Sequence, residues 1–149
     1  MIIEPKIRGF ICTAAHPQGC YQHVKDQVQY IQQQPSLSGP QNALVIGAST
    51  GYGLASRLAL AFGAATKTIG VFFEKAAQGK RTATAGWYNT AALEQLAAEQ
   101  GLYAQSVNGD AFSNAIKQQV AELIRRDFGN LECLVYSLAS PRRQHPDSG

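Results

Sequence analysis

The chain has 149 residues, of which 45% are hydrophobic and 15% charged, and a formal net charge of +3, so it suits one ordinary globular domain. The small charge favours neither a nucleic-acid partner nor a membrane partner, and no apolar run is long enough to span a bilayer. Glu4 and Pro5 argue against a signal peptide, and an odd count of three cysteines favours a reducing compartment, so we expect a cytoplasmic protein.

The first forty residues are predicted to form an extension ahead of the main fold. A short strand is expected over residues 10–15, followed by a helix over residues 20–34. Apolar residues recur at helical spacing along this helix, at Tyr21, Val24, Val28 and Ile31. A turn-rich connector, residues 35–40, separates the extension from a second region, residues 41–149.

The second region opens with a glycine-rich turn between a predicted strand and a predicted helix. The strand covers residues 43–46, the helix covers residues 54–62, and Gly47, Gly51 and Gly53 lie between them. In this context the first glycine allows a tight turn, the second lets the backbone approach a pyrophosphate, and the third lets the helix pack on the strand. Unpaired N–H groups at the helix start favour phosphate binding. The spacing Gly-x-x-x-Gly-x-Gly is the form found in short-chain dehydrogenases/reductases, and it predicts a dinucleotide site.

Strands and helices continue to alternate after this turn. Further strands are predicted over residues 68–73, 102–107 and 131–138, with one helix over residues 87–100 and another that starts at Ser113. This alternation predicts an α/β fold with a Rossmann-like, doubly wound parallel sheet of about four core strands. A complete dinucleotide fold has two mononucleotide halves, so residues 41–149 are either the N-terminal part of a larger domain or an unusually small member of the fold. We expect the former, because an uncovered edge after the fourth strand invites aggregation.

Polar residues at the ends of the predicted strands are candidates for cofactor contacts. Glu74 follows the second strand about 20 residues after the fingerprint, where an acid accepts hydrogen bonds from the adenosine ribose and disfavours a 2′-phosphate. That position favours NADH, although Lys75 makes the preference less distinct, and a solvated glutamate is the alternative. Asp110 and Ala111 end the third strand, where the carboxylate either meets the adenine or caps the next helix.

Residues 137–140 end the fourth strand, and their small side chains leave space for ribose and nicotinamide. The basic pair Arg142 and Arg143 suits a phosphate or an acidic carrier, or is simply solvated.

Two further patterns are interpreted as structural. Tyr21 and Lys25 have the spacing of the tyrosine and lysine of many short-chain dehydrogenases, but they precede the first core strand, and Tyr21 belongs to the apolar stripe. Residue types that suit zinc occur at intervals unlike those of a familiar zinc finger, so no metal site is predicted; they are Cys12, His16, Cys20 and His23.

Over essentially its whole length the chain resembles the N-terminal part of FabV-type enoyl-acyl carrier protein reductases, also called trans-2-enoyl-CoA reductases. The resemblance lies in segments 7–12, 16–17, 44–53, 70–74, 84–89, 108–113, 134–139 and 141–143. It implies NADH as the cofactor, contacted by Gly47, Ala48, Ser49, Thr50, Gly51, Tyr52, Phe73, Glu74, Asp110, Ala111, Leu138 and Ala139. It places the catalytic tyrosine and lysine of the family, eight residues apart, beyond residue 149, so no catalytic residue is assigned to this chain.

The resemblance implies reduction of the 2,3 double bond of a trans-2-enoyl thioester, on acyl carrier protein or coenzyme A, in fatty acid biosynthesis. It implies a monomeric full-length protein, of which this chain is the cofactor-binding portion and by itself inactive. A non-catalytic dinucleotide-binding module is the alternative. A short-chain reductase acting on an alcohol or ketone is disfavoured, because the match includes Trp87, Tyr88 and Asn89.

Overall fold

The computed structural model describes residues 2–139, without the side chain of Ile11. Its strands are β1 (Ile7–Arg8), β2 (Ile11–Cys12), β3 (Asn42–Ile46), β4 (Lys67–Phe72), β5 (Ala104–Asn108) and β6 (Cys133–Tyr136). Its helices are α1 (Pro17–Gln32), α2 (Gly51–Leu58), α3 (Ala85–Glu99) and α4 (Asn114–Asp127), and a π-helical turn (Ala59–Gly63) continues α2.

The four longer strands form one parallel sheet in the order β5-β4-β3-β6. The chain moves outward from β3 through β4 to β5 and then crosses back to place β6 on the other side of β3. This reversal is the topological switch point of a doubly wound sheet, where ligands bind at the carboxyl ends of the strands. The predicted α/β fold class is confirmed.

The two faces of the sheet are covered by different helices. The face bearing α1, α2 and α3 has a buried apolar cluster formed by Val24, Val28, Leu54, Leu58, Ala92, Leu93 and Leu96. The opposite face carries α4 over a second cluster formed by Leu44, Ile69, Val71, Val107 and Val120. The apolar stripe predicted on α1 therefore packs against the helices of the main fold. Helix α1 contributes to the same core as α2 and α3. The division of the chain into two regions at residue 40 stays a prediction.

The predicted strand over residues 10–15 was wrong in extent. Two short strands, β1 and β2, pair as an antiparallel hairpin around Gly9 and Phe10 instead. The first helix also begins earlier than predicted, because His16 caps it through Nδ1, which accepts from the Gly19 N–H at 3.4 Å. Pro17 occupies the first turn, where its missing N–H costs nothing.

The second region follows the prediction closely, with shifts at the element ends. Helix α2 starts at Gly51 rather than at residue 54, so the last two glycines of the turn lie within its first three residues. Ser113 is the N-cap of α4 as predicted, and its Oγ accepts from the Ile116 N–H at 3.3 Å. No helix between residues 2 and 139 has the length and apolar content needed to cross a membrane.

Candidate functional site

A cleft of about 770 Å³ opens at the carboxyl ends of the four parallel strands. Eleven of the twelve residues predicted for the cofactor line it: Gly47, Ser49, Thr50, Gly51, Tyr52, Phe73, Glu74, Asp110, Ala111, Leu138 and Ala139. The remaining lining residues are Val71, Phe72, Gly109, Phe112 and Ser137. The fold therefore brings the turns after β3, β4, β5 and β6 to a single site at the switch point.

The bend after β3 is shaped by close backbone packing. Gly47 has a φ of 83°, and a Cβ there would lie 1.9 Å from the Ser137 carbonyl oxygen, so only glycine fits. The N–H groups of Gly47 and Ala48 both donate to the Val71 carbonyl, at 2.9 and 3.0 Å. These contacts hold the start of the bend between β4 and the end of β6.

Helix α2 presents its N-terminus to the cleft without a side-chain cap. Its N-cap residue, Thr50, is extended and makes no capping hydrogen bond, while the Leu54 N–H donates to the Thr50 carbonyl at 3.1 Å. The N–H groups of Gly51, Tyr52 and Gly53 therefore precede the first intrahelical bond. An uncapped helix start carries the positive end of the helix dipole, which suits a phosphate.

Ala48 is the one predicted contact that does not line the cleft. Its side chain is buried, and its N–H is already bonded to the carbonyl of Val71. Ala48 supports the bend from beneath rather than presenting a group to the cleft surface.

Arg57 lies one turn further along α2, and no role was predicted for it from the sequence. It is fully buried, with Nε donating to Thr68 Oγ1 at 3.2 Å, Nη1 to Ser106 Oγ at 2.7 Å and Nη2 to the Gln105 carbonyl at 2.7 Å. Burial lowers the pKa of Arg57 to about 10, and the charge of Glu94 opposes that shift. Arg57 therefore ties α2 to β4 and β5 behind the bend.

Glu74 lies at the end of β4 in a network of hydrogen bonds. Its Oε1 accepts from Ser49 Oγ at 2.7 Å. Its backbone pairs with the Asn108 side chain, whose Oδ1 accepts from the Glu74 N–H at 2.9 Å and whose Nδ2 donates to the Glu74 carbonyl at 3.0 Å. The residue is thus ordered by groups on the neighbouring turns, in contrast to the alternative of a simple solvated glutamate.

Asp110 lines the cleft, but it is not the N-cap of α4, which is Ser113. The Asp110 Oδ1 accepts from the Phe112 N–H at 2.9 Å, and its carbonyl accepts from the N–H and Oγ of Ser113 at 3.0 and 2.8 Å. It therefore holds the turn that leads into α4. It also lines the cleft next to Ala111, and its contact with an adenine stays a prediction.

Two aromatic side chains project at the rim of the cleft. Tyr52 is 88% exposed and Phe73 is 76% exposed, and both line the cleft. Large exposed aromatic groups at a concave site are a feature of ligand-binding surfaces.

The residues considered for a second catalytic or metal site do not line the cleft within the described part of the chain. Tyr21 packs against the apolar cluster shared by α1, α2 and α3, as expected for a structural tyrosine. Within residues 2–139, no three His, Cys, Asp or Glu side chains are grouped closely enough to hold a metal ion. The basic pair Arg142 and Arg143, together with Ser140, lies outside the described residues.

The chain matches two adjoining family models. Residues 2–79 match the NAD(P)H binding domain of trans-2-enoyl-CoA reductase, and residues 81–149 match the trans-2-enoyl-CoA reductase catalytic region. The junction between the two models falls after β4, within the loop that leads to α3.

Relatives with established names cover the whole chain. An enoyl-[acyl-carrier-protein] reductase [NADH] of Coxiella burnetii is 62% identical over 100% of this chain and 37% of its own length. A trans-2-enoyl-CoA reductase [NADH] of Ruminiclostridium cellulolyticum is 58% identical over 100% of this chain and 38% of its own length. The chain thus spans little more than a third of the length of these relatives.

Solved structures agree with the sequence matches. The Treponema denticola trans-2-enoyl-CoA reductase in complex with NAD has a TM-score of 0.92 and 46% identity, covering 100% of this chain and 39% of that one. The Clostridium acetobutulicum enzyme in complex with NADH also has a TM-score of 0.92, with 41% identity over 97% of this chain and 36% of that one. Given both family models and these relatives, the chain belongs to the trans-2-enoyl-CoA reductase family.

Proposed function

We propose that the cleft binds NADH, with the pyrophosphate at the bend between Ile46 and Leu54. The observation that carries the proposal is the uncapped start of α2, where Gly51 and Tyr52 line the cleft and their N–H groups precede the first intrahelical hydrogen bond. The relatives solved with NADH and NAD share this fold at more than 40% identity, which supports NADH as the ligand.

The remaining contacts are proposed from the positions of the lining residues. Glu74 Oε2, which Ser49 leaves available, accepts from the hydroxyls of the adenosine ribose. The turn at Asp110 and Ala111 meets the adenine, with Phe73 at its edge. Leu138 and Ala139, at the end of β6, lie beside the ribose and nicotinamide.

We propose that the protein to which this chain contributes reduces the 2,3 double bond of a trans-2-enoyl thioester. The bound cofactor supplies the hydride, while the residues of this chain bind and orient it. The names of the relatives support both an acyl carrier protein thioester and a coenzyme A thioester. A cytoplasmic location is part of this proposal, and the three free thiols support it.

A titration followed by an activity assay tests this function. NADH fluorescence is titrated with the 149-residue chain, and a trans-2-enoyl-CoA is then added. We expect NADH to bind more tightly than NADPH, with no NADH oxidation, because the tyrosine and lysine expected from the family lie beyond residue 149. Failure to bind NADH would contradict the proposal.

The alternative is a non-catalytic dinucleotide-binding module, which would give the same titration result. The gene sequence after the codon for Gly149 distinguishes this module from the reductase. Continuation of the reading frame past Gly149 into a tyrosine and a lysine eight residues apart supports the reductase. A stop codon directly after Gly149 supports the module.

A further inference from the structure

The Glu74 carboxylate lies against the first turn of α3. A Cβ built on Gly86 would fall 2.0 Å from Glu74 Oε1, 2.5 Å from its Cδ and 2.8 Å from Ser49 Cβ. All three distances are shorter than any normal carbon contact. The absence of a side chain at residue 86 is therefore what allows the Ser49–Glu74 hydrogen bond to form beside the helix.

The first turn of α3 is held in this position by its own contacts. Asn89 is buried, and its Nδ2 donates to the Ser49 carbonyl at 3.1 Å. Upstream of the helix, the Thr84 N–H donates to the Lys75 carbonyl at 3.0 Å, and the Lys75 N–H donates to Thr84 Oγ1 at 3.2 Å. The helix is therefore attached on both sides of Glu74, so that a larger residue 86 displaces the carboxylate side chain more readily than the helix.

We propose that Gly86 and the Ser49 hydroxyl are positioning residues that set cofactor selectivity through Glu74. This inference rests on the proposed function of the cleft. Gly86 leaves the space that Oε1 occupies, and Ser49 donates to that oxygen, so Oε2 is directed to the adenosine ribose. A glutamate in this orientation accepts from the 2′-hydroxyl and repels a 2′-phosphate.

The proposal predicts opposite effects on the two cofactors when the orientation is lost. A methyl group at residue 86 forces the carboxylate out of its position, so NADH loses a hydrogen bond to a charged acceptor while NADPH escapes charge repulsion. The selectivity ratio, defined as the Kd of NADPH divided by the Kd of NADH, is expected to fall on the order of tenfold. A general loosening of the cleft weakens both cofactors together and leaves the ratio unchanged.

The test measures Kd for NADH and for NADPH on the 149-residue chain carrying Gly86→Ala. The matched control is Gly19→Ala, also in the first turn of a helix, where a Cβ would meet only His16 Cβ at an ordinary 3.7 Å. A fall in the ratio for Gly86→Ala, with no change for Gly19→Ala, supports the proposal. An unchanged ratio for a folded Gly86→Ala protein would overturn it.

A double-mutant cycle shows whether Gly86 acts through Glu74. In a Glu74→Ala background, Gly86→Ala is expected to change the ratio no further, since the group that it displaces is gone. Additive effects would assign Gly86 a separate role and contradict the proposal.

Ser49→Ala provides a second variant, needed if Gly86→Ala does not fold. It removes the donor to Oε1 without adding volume, and it is expected to lower the ratio in the same direction. An unchanged ratio here would also overturn the proposal. If the unsubstituted chain binds no NADH, the proposed function fails together with this inference; if it binds NADH and the variants keep its ratio, only this inference fails.

Discussion

Gly53 lies directly against the carbonyl group of Gly47, so that a Cβ at residue 53 would fall 1.9 Å from the Gly47 oxygen. The obstacle is backbone, which cannot rotate aside as a side chain does. Close packing of α2 on the bend thus requires glycine at residue 53 and determines where the helix start meets the cleft.

Gly53→Ala is therefore expected to destabilise the fold by about 3 kcal/mol, because helix and bend must separate. Thermal and urea unfolding followed by circular dichroism measure the change. The control is Gly101→Ala, at a φ of 68° with no atom within 4 Å of the added Cβ, which is expected to cost only about 1 kcal/mol of strain. Equal losses for the two variants would show that contact with Gly47 is unimportant.

Glu74→Ala is expected to weaken NADH binding and to strengthen NADPH binding. The variant removes the acceptor for the ribose hydroxyls and the negative charge that repels a 2′-phosphate, while the adjacent cation of Lys75 remains. Fluorescence titration with both cofactors measures the change. Addition of Lys75→Ala to this variant is expected to reverse the gain for NADPH. If Glu74→Ala leaves the preference for NADH unchanged, the assigned role of Glu74 is wrong.

Arg57→Met is expected to lower the free energy of unfolding by about 2–4 kcal/mol. The substitution keeps an apolar side chain of similar length but leaves the Gln105 carbonyl and the hydroxyls of Thr68 and Ser106 without their donor. Arg125→Met is the control on the exposed side of α4, expected to change stability by less than about 0.5 kcal/mol. Urea unfolding that gave the same midpoint for both variants would contradict this account of Arg57.

The stability of the chain is expected to fall in acid through Asp127. A hydrogen bond from Arg126 and, to a smaller extent, one from Tyr103 lower the pKa of the Asp127 carboxyl from 3.8 to about 2. Because the folded pKa is the lower one, this contribution is complete above pH 3.8 and is lost as the pH falls toward 2. Urea midpoints measured between pH 5 and pH 2 are expected to fall less for Asp127→Asn than for the unsubstituted chain. If the urea midpoints of both proteins fell equally with pH, Asp127 would not contribute to the loss of stability in acid.

The sequence predicted the core of the fold because its signals are local. Apolar runs gave the parallel strands, Ser113 marked the start of α4, and Gly47 and Gly53 marked the bend. Element ends were less accurate where a cap is unusual: the first helix is predicted to begin at residue 20, although the ring nitrogen of His16 caps α1 before Pro17. The candidate site was predicted from strand ends and from resemblance, and the fold brings those residues to one cleft.

The supporting groups of the site were not predicted, because they depend on pairs distant in sequence. Arg57 looks like an ordinary residue on an amphipathic helix, and nothing local indicates that it will be buried against β4 and β5. Gly86 and Asn89 appeared only within a family motif, and their contact with Ser49 and Glu74 depends on how α3 packs over the sheet. Such contacts require the tertiary structure.

A crystal structure of the chain soaked with NADH tests the central claim most directly. We expect the pyrophosphate at the bend, within hydrogen-bonding distance of the N–H groups of Gly51, Tyr52 and Gly53, and the adenosine ribose beside Glu74. Density for NADH at another surface, or a bend left empty at saturating NADH, would contradict the account.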